Sequence, residues 1–345
     1  MPETNNANAE TGHLHLGAPL RISSIPYKRI SVPVGSREFG IPYVKVPRTT
    51  IGGLTLVSDS YGSRMALEGK VCLITGAGRG IGETIALTFA NQGGTLVLCS
   101  RTIEELEKLA AQTEAAGSLT MTFQVDVSDF DQVSDMVRRT VSRFGRIDVL
   151  VNNAGVYGPI GEIWKNDLTD WRKAVATNLF GSVHCIQAVV PHMIRSRRGR
   201  IVNVAGGGEG AFPRFSAYAC SKSAVVRLTE TLAEELKAYN IQINAIAPGA
   251  VNTRLLDQVL AAGEDAGAYY ERAKKQKASG GVAPEKAAKL ALFLASDASN
   301  GLTGRLLSAV WDDWENLDIE SIINSSLYQV RRIDGLRFLE SKQPK

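Results

Sequence analysis

The chain has 345 residues, of which 44% are hydrophobic and 21% charged; both are near the globular average, so most of it is expected to fold around a core. Its net charge is only +4, and the excess sits in one short stretch rather than on a face, which argues against a nucleic-acid partner. No apolar run approaches the roughly 20 residues that cross a bilayer, and the polar opening lacks a signal peptide's apolar stretch; the expectation is a cytoplasmic protein with no membrane partner.

Residues 1–20 are polar and poor in aromatics, and are expected to be a disordered tail. His13 and His15 lie there, but two histidines fall short of a metal site, and no metal is expected. Residues 21–64 interleave Pro26, Pro33, Pro42 and Pro47 with Ile, Val and Tyr. That spacing excludes a helix and predicts an extended N-terminal arm. The arm also carries the charge excess, with Arg21, Lys28, Arg29, Arg37, Lys45 and Arg48 against Glu38.

From Lys70 onward, short apolar runs alternate with longer amphipathic ones. Runs at 71–74, 96–99, 120–125, 147–151, 201–204, 241–246 and 306–310 read as seven strands, and 103–116, 133–144 and 216–239 have helical periodicity. This alternation predicts an α/β architecture, a doubly wound parallel sheet with right-handed crossovers and helices on both faces. The domain is expected to span 65–313, with 314–345 a C-terminal tail that has no place in the scheme. Cys72, Cys99, Cys185 and Cys220 show no ligand spacing and are expected to be four free, buried thiols.

The first strand runs into Gly76, Gly78, Arg79, Gly80, Ile81 and Gly82, then a helix. Glycines there let the backbone turn tightly and approach a pyrophosphate at the helix's positive end. The second strand ends in Ser100-Arg101, where an NAD site normally presents an acid to the ribose 2′-OH. A guanidinium in that place, with Arg79 near it, suits a 2′-phosphate. The cofactor expected is NADP(H), in preference to NAD(H).

By this point the residues resemble the short-chain dehydrogenase/reductase family, in its single-domain branch. The resemblance rests on TGAGRGIG at 75–82, Asp126-Val127, NNAG at 152–155, Asn178, Tyr218 with Lys222, Pro248-Gly249 followed by Thr253, and 284–304. It covers about 245 residues in order, and it implies a Rossmann-type fold. It also implies that Asp126, Val127, Asn153, Ala154, Gly155, Pro248, Gly249, Val251 and Thr253 contact the cofactor, with Thr253 at the carboxamide.

Tyr218 and Lys222 are four apart, so on a helix they share one face. A cation beside a phenol favours phenolate and suits Tyr218 for proton exchange with a carbonyl oxygen as hydride arrives or leaves. The resemblance adds that Lys222 binds the nicotinamide ribose and that Asn178 holds a water linking the lysine to solvent. The family also places a serine about thirteen residues before the tyrosine. Here the chain reads Ala205-Gly206-Gly207-Gly208-Glu209-Gly210, with no hydroxyl until Ser216. Glycine amides, Ser216 or a substrate group are the candidate replacements.

After Thr253 come Arg254, Tyr269, Tyr270, Arg272, Lys274, Lys275 and Lys277, a cluster that suits an anionic small-molecule substrate. The expected function is carbonyl/secondary-alcohol interconversion by a homodimer or homotetramer. The alternatives are an epimerase- or dehydratase-like step, or a nucleotide-binding protein with impaired turnover.

Overall fold

The computed structural model describes residues 65–206 and 210–330, together with the backbone of 50–51 and 54–55. The expected tail over 1–20, most of the arm over 21–64, Gly207, Gly208 and residues 331–345 lie outside the described residues. The chain divides into two units, 1–59 and 60–345. In the first, Thr50–Ile51 and Leu54–Thr55 pair as a short antiparallel hairpin.

In the second unit seven strands form one sheet: β1 (Val71–Thr75), β2 (Thr95–Ser100), β3 (Thr120–Gln124), β4 (Val149–Asn152), β5 (Gly199–Val204), β6 (Ile241–Ala247) and β7 (Leu306–Ser308). Their order is β3-β2-β1-β4-β5-β6-β7, and every pairing is parallel. The helices are α1 (Gly80–Ala90), α2 (Ile103–Ala115), α3 (Phe130–Phe144), α4 (Leu168–Val175), α5 (Gly181–Ser196), α6 (Ser216–Leu236), α7 (Arg254–Ala262), α8 (Ala268–Ser279), α9 (Pro284–Ala295) and the short α10 (Ile319–Ile323). The fold is the expected Rossmann-type α/β sheet.

Strands such as β1 and β4 are buried along their whole length, as a sheet covered on both faces requires. Successive residues serve opposite faces. Ile74, Leu98 and Val151 join Ile85, Phe89, Leu290 and Leu294 in one core. Leu73, Val97 and Leu150 join Val133, Met136, Cys185 and Val189 in the other. The strand order reverses between β1 and β4, so the loops leaving their carboxyl ends diverge and open a crevice there.

Three expectations are corrected. Packing does not stop at Asp313: Trp314, Leu317, Ile319 and Tyr328 lie against the α1/α9 core, and Ile322 is buried in it. Leu306 N–H donates to Tyr328 O (2.8 Å), and the Arg305 guanidinium donates to Leu327 O (2.9 Å) and Ile322 O (2.8 Å). The apolar residues of 314–330 are spaced irregularly, so no periodicity marked them as core. Cys220 is exposed, unlike the other three cysteines, because it falls on the outer face of α6. The last strand ends at Ser308, whose N–H donates to the Asp312 carboxylate (2.6 Å) as the chain turns away.

One further finding differs from the composition alone. The continuous helical stretch Leu168–Ser196 is long and apolar enough to cross a membrane. Its residues Cys185, Ile186, Val189 and Met193 are instead buried in the sheet's core.

Candidate active site

The glycine turn is shaped by contacts no side chain could share. A Cβ on Gly82 would lie 2.3 Å from Gly76 O, and one on Gly76 would lie 2.8 Å from Ala154 Cα. Gly76 and Gly80 have φ of +61° and +58°, a region that favours glycine. The turn is strapped to the loop after β4. The Asn153 amide donates to Thr75 O (3.0 Å) and Gly76 O (2.9 Å), and the backbone N–H groups of Asn153 and Ala154 donate to Thr75 Oγ1. No side chain caps the first turn of α1, so its unpaired N–H groups and positive dipole end face the crevice. A cradle of this form fits a dinucleotide pyrophosphate.

The crevice is a cleft of about 1290 Å³, larger than the roughly 300–1,000 Å³ that suits one drug-sized ligand, and so roomy enough for a cofactor and a substrate together. Gly76, Gly78, Arg79, Gly80, Ile81, Ser100, Arg101, Asp126, Val127, Asn153, Ala154, Gly155, Tyr218, Lys222, Pro248, Gly249, Val251 and Thr253 all line it. Gly82 does not; it is buried, and its role is to let α1 approach the turn. Thr253 Oγ1 accepts from Leu255 N–H and caps α7. The Thr253 methyl would be 3.2 Å from a Cβ on Gly80.

Asn178 is also outside the lining. It sits in a single π turn, Ala176–Phe180, and is fully buried. Its Oδ1 accepts from Val156 N–H (2.8 Å), and its Nδ2 donates to Val156 O and Ser221 Oγ (both 2.9 Å). Both amide hydrogens are thus committed, and the side chain clamps the loop after β4 to α6.

Tyr218 and Lys222 stand one turn apart on α6, as expected. Lys222 is buried, donates to Val204 O (2.6 Å) and lies 5.9 Å from the Tyr218 ring centre. Burial pushes its ammonium down from 10.5 to about 8, because a charge there loses its hydration. A Cβ on Gly206 would lie 3.4 Å from the Tyr218 hydroxyl, so this glycine faces the phenol. Ser216 is not a replacement: it does not line the cleft, and its Oγ accepts from Trp171 Nε1 (3.1 Å).

Two features escaped the sequence reading, and a third completes the site. Glu105, from the first turn of α2, brings its carboxylate to the cofactor end and pairs with Arg79 (2.6 Å), so that locus does hold an acid. The second feature is an aromatic wall around Tyr218. Tyr157 meets Tyr218 edge-on with ring centres 4.7 Å apart, and Phe212 stacks on Phe215 at 4.4 Å and meets Tyr269 at 4.5 Å. The third is Trp311, 86% exposed at the rim. No local pattern ties Glu105 or Tyr157 to the site, since the residues they meet are far away in sequence, whereas Phe212, Phe215 and Tyr218 are only three apart.

The basic cluster divides. Arg254, Arg272 and Lys277 line the cleft with Tyr269, whereas Tyr270, Lys274 and Lys275 do not. Lys277 pairs with Asp257 (3.0 Å) and Lys274 with Glu271 (2.5 Å). Arg272 lies over the Tyr269 ring, 4.9 Å from its centre. Among the described residues no group of three or more His, Cys, Asp or Glu is placed to hold a metal ion.

The short chain dehydrogenase family profile matches residues 70–263. The chain is 38% identical over 245 residues to the 3-oxoacyl-[acyl-carrier-protein] reductase FabG of Thermotoga maritima, covering 70% of this chain and 97% of that one. It is 35% identical over 247 residues to the (2S)-[(R)-hydroxy(phenyl)methyl]succinyl-CoA dehydrogenase subunit BbsD of Thauera aromatica, covering 70% and 96%. The solved NAD+-bound xylitol dehydrogenase superposes with a TM-score of 0.66 at 33% identity, over 70% of this chain and 98% of that one. With the family profile matched over more than half of the chain and relatives above 30% identity covered almost in full, the chain belongs to the short chain dehydrogenase family of oxidoreductases.

Proposed function

We propose that this chain is an NADP(H)-dependent oxidoreductase that interconverts a carbonyl and a secondary alcohol, with Gly206 where the family has its serine. The observation that carries the reading is the placement of Tyr218 and Lys222 in the same cleft as the glycine cradle. When bound, the nicotinamide supplies or accepts the hydride. Tyr218 exchanges a proton with the substrate oxygen, Lys222 holds positive charge beside it, and the aromatic wall excludes water. Gly206, with φ +104°, leaves backbone rather than a hydroxyl beside the reacting oxygen.

Arg79 and Arg101 supply charge for a 2′-phosphate. An anionic group on the substrate suits Arg254 and Arg272, and FabG and BbsD, by name, act on acyl-carrier-protein and CoA compounds. The reading includes a cytoplasmic homodimer or homotetramer. Tyr218→Phe tests the chemistry: turnover of a carbonyl substrate should be lost while NADPH affinity stays within about twofold, since the ring contacts remain. Undiminished turnover in that variant would place the chemistry elsewhere.

A further inference from the structure

At the adenosine end of the cleft, Arg79, Ser100 and Arg101 were expected to bind a 2′-phosphate without opposition. Two of them are already engaged. Arg79 Nη1 donates to Glu105 Oε1 at 2.6 Å. Ser100 Oγ donates to Thr102 O (2.9 Å) and accepts from Thr102 N–H (3.1 Å), so its single proton is used within the chain. Arg101, exposed, has no side-chain partner among the described residues. The Glu105 carboxylate also lies over the glycine turn: a Cβ on Gly78 would meet Glu105 Oε2 at 2.8 Å and Ser100 Oγ at 3.2 Å. Glu105 therefore stands in the hollow between the turn and the end of β2, the strand end from which dinucleotide folds present an acid to the ribose 2′-OH.

We infer that Glu105 limits this chain's preference between the two nucleotides, opposing a 2′-phosphate and accepting a hydrogen bond from a 2′-hydroxyl. The inference rests on the NADP(H) reading for the direction of the wild-type preference. A carboxylate can accept from a ribose hydroxyl, as the acid at the end of the second strand does in other dinucleotide folds. A phosphate placed there shares Arg79 with a second anion. Arg79 keeps further N–H groups, so the phosphate still binds, but beside a like charge. The acid comes from a helix rather than from the strand end, and this is why the strand's sequence conceals it.

The test is direct binding, read from nicotinamide fluorescence without substrate. The pair is 43% and 31% exposed, so solvent screens it and the effect is moderate. Glu105→Gln should tighten NADPH about threefold to tenfold and weaken NADH severalfold. Glu105→Ala, which cannot pair with Arg79 at all, should move NADPH in the same direction, with melting curves checking that both variants fold. An unchanged ratio of the two affinities in both variants overturns the inference. The cofactor reading is tested separately by Arg101→Asp, which should weaken NADPH more than tenfold and NADH little. Tighter NADH than NADPH in the wild-type chain overturns that reading, and the shift caused by Glu105→Gln stays measurable in that case.

Discussion

Lys222 joins the charge proposed for the chemistry to a structural cost. Its environment is nearly sealed, and burial lowers its pKa from 10.5 to about 8. Below about pH 8 the folded and unfolded chains both hold the proton, and the folded chain bears the full cost of a buried ammonium. Between about 8 and 10.5 the folded chain gives up the proton first, so the cost fades as pH rises. The expected outcome for Lys222→Met is therefore a gain in stability over wild type near pH 7, on the order of 3 kcal/mol at most. The lost bond to Val204 O reduces it, and the gain closes by about pH 10.5. Urea unfolding across that range measures it, and a gap that widened with pH would contradict the assignment. The same variant should weaken nucleotide binding and turnover together.

Among elements, the π turn between α4 and α5 has the clearest purpose. A π turn widens the helix locally and is mostly found at functional sites. Here it presents Asn178 inward, where the side chain satisfies the N–H and C=O of Val156 at once. Asn178→Ala leaves both groups, and Ser221 Oγ, without that partner. A lost buried partner costs about 1–3 kcal/mol per group, so the expected result is a clear fall in melting temperature and faster amide exchange confined to the loop 153–157. A uniform rise in exchange across the sheet would instead mean that Asn178 holds up the core. In the sequence, Asn178 was recognisable only through the family pattern. That pattern implied a water-holding role; the side chain's hydrogen bonds add that of a clamp.

At the scale of the whole molecule, the segment 314–330 closes the outer edge of the sheet. Arg305 is 5% exposed, and its guanidinium donates to the carbonyls of Ile322, Ile323 and Leu327 in that segment. The Glu230 carboxylate accepts from Val330 N–H (2.6 Å). Arg305→Met should release the segment, and chymotrypsin should then cut at Trp314, Leu317 or Tyr328 at concentrations that leave wild type intact. Truncation after Asp313 should lower the melting temperature by several degrees, because Phe293 and its neighbours lose their cover. Resistance of both variants would separate the segment from the stability of the sheet.

The seven strands, the major helices and the glycine cradle were legible because their signals are local. Apolar runs of strand length, helical periodicity and a turn that only glycine can make each need a few consecutive residues. The pairing of Tyr218 with Lys222 was legible for the same reason, one helical turn being four residues. What the tertiary structure alone decided joins residues distant in the chain. Glu105 reaches Arg79 across 26 positions, Gly206 is brought to the Tyr218 hydroxyl, and Arg305 gathers a segment that looked like a tail. Such contacts depend on how strands and helices are stacked, and stacking is set by shape and burial over the whole sheet, which no short stretch of sequence encodes.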